Sequence, residues 1–146
     1  VASENRFSGY AGDLSVVETW TLLSGDAAAQ LVDVRTRAEW NFVGVPDLLG
    51  LGRKVHFLEW QDFPAKTRNP HFEAQAGDAL GPDKNIVVLF LCRSGGRSRA
   101  AAQAMTRAGY ARAYNIADGF EGDLDHDGHR GNQNGWKVSG LPWKQT

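Results

Sequence analysis

IVVLFLCRSGGRSRAAAQAMTRA, residues 86–108, is the stretch that decides the fold. Ile86–Leu91 is apolar on both faces and β-branched at its start, the pattern of a strand covered from both sides. Arg97–Ala108 is rich in alanine and is followed by Gly109, which predicts a helix over 97–108. Strand, short glycine-bearing loop and helix, in that order, make half of a parallel βαβ unit. Ligands of such sheets bind beyond the carboxyl ends of the strands. Cys92 stands at that end. The helix that follows supplies the positive end of its dipole, and the loop amides can form an anion-binding nest. Five arginines and no acidic residue lie between 93 and 112. Such surroundings favour the thiolate over the thiol and so point to a reactive cysteine. Gly95 and Gly96 let the backbone bend tightly around a bound group.

Outward from this stretch, the same alternation continues. Ser15 is placed to cap a helix running through VVETWTLL and stopped at Gly25. Residues 29–34, AQLVDV, predict a short buried strand. Thr36 with Glu39 three positions on has the capping-box spacing and predicts a helix over TRAEWNF. Residues 54–58, KVHFL, predict a strand, 59–84 a mixture of helix and loop, and 113–116 a further strand. Strands alternating with helices predict an α/β domain with helices on both faces.

Composition narrows the function. The chain has 146 residues, which is one domain's worth. Sixteen Lys and Arg against 17 Asp and Glu leave a net charge of −1, which argues against a polyanion binder acting by bulk charge; no nucleic-acid partner is expected. The longest apolar run, Ile86–Cys92, is too short to span a bilayer, and no membrane partner is expected. A single cysteine rules out an internal disulfide and a four-cysteine zinc site. The first 14 residues contain no apolar leader-like segment, so a cytoplasmic location is expected.

The sequence resembles the rhodanese-like sulfurtransferase domains. The resemblance rests on Leu31-Val32-Asp33-Val34-Arg35 with Glu39, on Cys92-Arg93-Ser94-Gly95-Gly96-Arg97-Ser98, and on the ending Gly135-Trp136 to Gly140-Leu141-Pro142. It runs from about Leu14 to Pro142. It implies a single rhodanese-like α/β domain over 14–146, after an N-terminal extension of 1–13, with a central five-stranded parallel sheet. It also implies thiosulfate sulfurtransferase chemistry, with Cys92 as nucleophile and persulfide carrier. Arg93, Ser94, Gly95, Gly96, Arg97 and Ser98 would bind the donor. Asp33 and Arg35 would support the site, Asp33 by bracing a loop arginine; alternatively, Arg35 simply pairs with Glu39 at a helix start. Expected partners are a small sulfur donor, thiosulfate or a persulfide, and a cyanide or thiol acceptor that includes a thiol protein. The chemistry needs no metal and no organic cofactor. The alternatives are a non-enzymatic persulfide or anion sensor and a sulfur-relay module. Phosphatase or arsenate reductase activity fits less well. Those enzymes place five residues between Cys and Arg, whereas here the position after five is Ser98 and Arg97 comes one early.

Two segments stand apart. Residues 44–60 depart from the usual pattern, and 121–134 form an acidic, glycine-rich loop that reads as an insertion. Within it Asp123, Asp125 and Asp127 followed by Gly128 imitate the opening of a calcium loop, but the twelfth position is Asn134 rather than Glu. His126 and His129 form a weak candidate metal pair.

Overall fold

The computed structural model describes residues 9–145. Strands β1 (Gly12–Leu14), β2 (Gln30–Asp33), β4 (His56–Phe57), β5 (Val88–Leu91) and β6 (Ala113–Ile116) form one sheet in the order β1-β6-β5-β2-β4. Every pairing in it is parallel. A second, two-stranded sheet joins β3 (Val45–Pro46) antiparallel to β7 (Trp143–Lys144). The helices are α1 (Val16–Gly25), α2 (Arg37–Phe42), α3 (Phe72–Leu80) and α4 (Gly96–Arg107). The five-stranded parallel α/β sheet is therefore as the sequence implies. Strand β1 already includes Gly12 and Asp13, ahead of the boundary drawn at Leu14, and Tyr10 packs into the core. Most of the proposed 1–13 extension, residues 1–8, lies outside the described residues. Among the described residues no helix is long and apolar enough to cross a membrane.

Side-chain alternation along the central strands builds two cores. Val88 and Phe90 of β5, with Val32 of β2, face α3 and α4, where Phe72, Ala76, Ala101 and Met105 meet them. Leu89 and Leu91, with Leu31, face the other way, toward Val16 and Leu23 of α1 and toward Trp136. This two-sided burial explains why 86–91 shows no polar face. Cys92 continues the alternation onto the α3/α4 side, so the pleat itself aims its side chain beneath the start of α4.

Local signals hold where they were strong. Both Ser15 with Glu18 and Thr36 with Glu39 form complete capping boxes. Trp136 is fully buried, its ring edge-on to Trp20 at 6.0 Å and its indole N–H donated to the Pro142 carbonyl at 2.7 Å. That bond turns the GW…GLP ending back onto the body of the domain.

Candidate active site

Cys92 begins the loop that joins β5 to α4. Gly95 caps the helix with φ of +108°, and a side chain there would collide with the Ala117 carbonyl. Gly119, at φ +68°, lies equally close to the backbone of Arg93 and Ser94. These two glycines let the β6-to-Trp136 connection press directly on the cysteine loop. Phe120 donates its N–H to the Cys92 carbonyl at 2.8 Å, and Glu121 and Gly122 both donate to Arg93 at 3.1 Å. The segment that reads as an insertion thus begins by clamping the loop from outside.

Cys92 is 1% exposed. It is nonetheless in polar company. The Gly95 N–H donates to Sγ at 3.1 Å, and Ser98 Oγ, itself fully buried, lies 3.1 Å away. The first amides of α4 have no intrahelical acceptor by helix geometry, and the helix starts four residues after Cys92. Arg93 and Gly96 are exposed, Ser94 and Arg97 half-buried, and Gly95 and Ser98 buried. Of the six loop residues named from sequence, Gly95 and Ser98 touch Sγ, while Arg93 and Arg97 line the cleft outside it.

Arg97 is fixed by a forked pair with Glu39: Nη1 to Oε1 at 2.7 Å and Nη2 to Oε2 at 2.9 Å. Burial works against the charge on both groups, but each raises the other's preference for the ionised form. Arg97 is pushed upward by Glu39 and then by Cys92 and Asp33. Burial would raise Glu39; Arg97 and the bonds from Thr36 outweigh it and lower the carboxyl from 4.5 to about 2. Glu39 is therefore both the capping-box partner of Thr36 and the brace of the loop arginine. The sequence shows only the first role, because the capping spacing accounts for Glu39 locally and its second partner lies 58 residues away.

Asp33 makes its side-chain bonds to Arg35 and none that the structure shows to a loop arginine, contrary to the expectation; it acts on Arg97 through its charge alone. It is bonded to Arg35, with Nη2 to Oδ2 at 2.7 Å and Nε to Oδ1 at 3.0 Å, and both side chains are fully buried. Arg35 also donates to the Gly44 carbonyl at 2.9 Å and stacks 4.2 Å over the Phe120 ring. This pair ties β2 to the start of β3 and to the clamp segment. Arg35 bonds Asp33 rather than Glu39.

A cleft of about 910 Å³ opens over the loop. Glu39, Lys66, Arg93, Arg97, His129 and Arg130 line it, so the 121–134 loop contributes one wall. Phe42, Phe63 and Leu124 stand on its rim, 81%, 64% and 52% exposed. The calcium-like acids serve the loop itself. Asp125 Oδ1 accepts from the amides of Asp127 and His129, its Oδ2 accepts from Asn132, and Asp123 accepts from Asn134. Among the described residues, no three His, Cys, Asp or Glu side chains converge as metal ligands.

Residues 11–146 match the family described as the STR4 middle domain. The chain belongs to this rhodanese-like family. An uncharacterized protein of Rickettsia conorii is 44% identical over 124 residues, covering 84% of this chain and 88% of that one. The rhodanese-like domain-containing protein 4 of Arabidopsis thaliana, a chloroplastic protein, is 30% identical over 88% of this chain and 25% of its own length. Among solved structures, Rv0390 from M. tuberculosis is 50% identical with a TM-score of 0.85, covering 94% of this chain and 99% of that one. The polysulfide-sulfur transferase homodimer of Wolinella succinogenes shares the fold at 20% identity and a TM-score of 0.62, over 99% of this chain and 87% of its own.

The Arg97–Glu39 brace of this rhodanese-like domain makes stability acid-sensitive in a defined window. Glu39 has a lowered folded value, so its contribution is complete above about 4.5 and lost as pH falls toward about 2. Glu39→Gln is expected to be less stable than wild type at neutral pH, by on the order of 2–3 kcal/mol. The difference should close over that acid window in urea titrations.

Proposed function

We propose that the protein is a sulfurtransferase that carries sulfane sulfur as a persulfide on Cys92. The observation that carries this is the Gly95 N–H donated to a buried sulfur just ahead of a helix start, with Arg93 and Arg97 lining the cleft outside it. The Cys92 thiolate attacks the outer sulfur of thiosulfate. The sulfur–sulfur bond of the donor breaks, its electron pair leaves with sulfite, and Cys92 becomes a persulfide anion. An acceptor nucleophile then attacks that terminal sulfur, and the electron pair returns to Sγ. The charge count balances in both steps, so neither needs an added oxidant or reductant.

Each part of the site matches a demand of this sequence. The negative charge moves from Sγ to the terminal sulfur, and fixed amide dipoles at a helix start stabilise it without rearranging. Cys92 is nearly fully buried and Arg93 and Arg97 line the cleft outside it, so a donor's sulfonate would meet the arginines there. The 146 residues hold no second cysteine, so release requires a nucleophile from outside this domain. The cleft is much larger than cyanide needs, and its apolar rim favours a thiol carried on a peptide segment as the cellular acceptor. Family membership and the fold shared with a polysulfide-sulfur transferase support the same reaction class.

Initial-rate kinetics with thiosulfate and cyanide test the two-step scheme. Ping-pong behaviour is expected, with parallel double-reciprocal lines as either substrate is varied. Intersecting lines would mean that both substrates bind before sulfur moves, and would remove the free persulfide enzyme from the scheme.

A further inference from the structure

A polar residue interrupts the otherwise apolar strand β6. Asn115 is fully buried between two parallel neighbours, in register with Phe90 of β5 on one side and Asp13 of β1 on the other. Its Nδ2 donates to Asp13 Oδ1 at 2.9 Å, and Tyr10 donates its hydroxyl to the same oxygen at 2.7 Å. The Asp13 carboxylate only accepts, so it fixes the amide with Nδ2 outward and Oδ1 inward. The inward Oδ1 accepts from Ser98 Oγ at 2.5 Å. Ser98 has one proton, and this bond uses it. Toward Cys92 the hydroxyl then presents a lone pair, so the 3.1 Å contact is satisfied by an S–H donor and not by a thiolate.

We infer that Asn115, oriented by Asp13, positions the Ser98 proton away from sulfur and so favours the thiol of Cys92 over its anion in the resting protein. This rests on Cys92 being the reactive group. In the resting protein the chain runs Cys92 S–H to Ser98, Ser98 O–H to Asn115, and Asn115 N–H to Asp13 at the surface. Once sulfur is negatively charged, the Ser98 proton must choose between Asn115 and the anion. Asn115 and Asp13 are positioning residues, because neither touches sulfur. The effect opposes that of the Gly95 amide and the helix end, which favour the anion.

The charged and titratable groups around Cys92 come from several elements. Arg97, paired with Glu39, is coupled directly to Cys92; on the elements packed about it stand the Asp33–Arg35 pair, Arg93, Asp118 and Glu121 after β6, and Asp13 with Tyr10 and Arg99. Asn115→Leu leaves all of them in place while removing the acceptor of the Ser98 proton. The thiolate-to-thiol ratio, read by ultraviolet absorbance across pH, is expected to rise about tenfold at any given pH, the effect of gaining one hydrogen bond to a charged group.

Asp13→Ala at the exposed end should act in the same direction by releasing the Asn115 amide to turn over. Asp13→Asn removes the charge but keeps an acceptor for Nδ2, its oxygen held toward Asn115 by the Tyr10 hydroxyl donated to the same position, and is expected to return the ratio to within about twofold of wild type. A purely electrostatic role for Asp13 would make the two variants alike. In a Ser98→Ala background, Asn115→Leu should have no effect on the ratio. The inference is overturned if Asn115→Leu leaves the ratio unchanged or lowers it, or if the rise persists without Ser98. The absorbance readout needs no turnover, so a failure here is distinct from a failure of sulfur transfer.

Discussion

Cys92→Ser is expected to abolish thiocyanate formation from thiosulfate and cyanide, a fall on the order of 10³-fold or more, while leaving the fold intact. Serine retains an atom that accepts from the Gly95 amide and can bond Ser98, so the polar wall around position 92 keeps its partners. What is lost is the soft, readily ionised sulfur on which a persulfide forms. The substitution therefore separates chemistry from structure more cleanly than Cys92→Ala, which also leaves the Gly95 N–H without its acceptor. Both variants should match wild type by circular dichroism, and both should be inactive. Turnover surviving in a folded Cys92→Ser protein would remove Cys92 as the nucleophile. An inactive wild type that folds and binds thiosulfate would instead favour the sensor.

Arg35→Leu is expected to produce the largest loss of stability of the substitutions considered, about 3–5 kcal/mol, or a Tm lower by roughly 10 °C. Asp33 is fully buried and Arg35 is its ionic partner, so the variant strands a carboxylate in the core. It also removes the donor to the Gly44 carbonyl and the cation over Phe120. Most of the loss comes from the stranded charge, so Asp33→Asn together with Arg35→Leu should recover a substantial part of it. A double variant no better than Arg35→Leu would place the energy in the Gly44 and Phe120 contacts instead. Thermal and urea unfolding of the three variants decide between these outcomes.

The parts of the domain that read clearly from sequence are those whose physics is local. Residues 86–108 carry burial on both faces, a glycine loop and alanine helix propensity in one run, and the structure places β5 and α4 there. Thr36 and Glu39 announce α2 through their spacing alone. Strand β3 carries no such signal. It is a Val-Pro dipeptide paired with the distant segment Trp143–Lys144, which the Trp136–Pro142 and Asp47–Pro142 bonds hold beside it. The KVHFL segment contracts to His56–Phe57, because at the sheet edge only these residues meet β2.

At the site, the cysteine loop was legible because glycine, serine and arginine at a strand end have no place in an apolar core. The partners of the loop were not. Glu39 was already explained by its cap, and Asp33 had an arginine two residues away that claims it. Asn115 left one trace, a polar side chain in the middle of AYNI, and only the register of β1 against β6 reveals what that trace is for.

Intact-protein and peptide mass spectrometry after brief exposure of the purified protein to thiosulfate tests persulfide chemistry most directly. Wild type should gain the mass of one sulfur atom, located on Cys92, and lose it when cyanide is added. A folded protein that gains no sulfur at Cys92 from thiosulfate or from a persulfide donor would contradict the account.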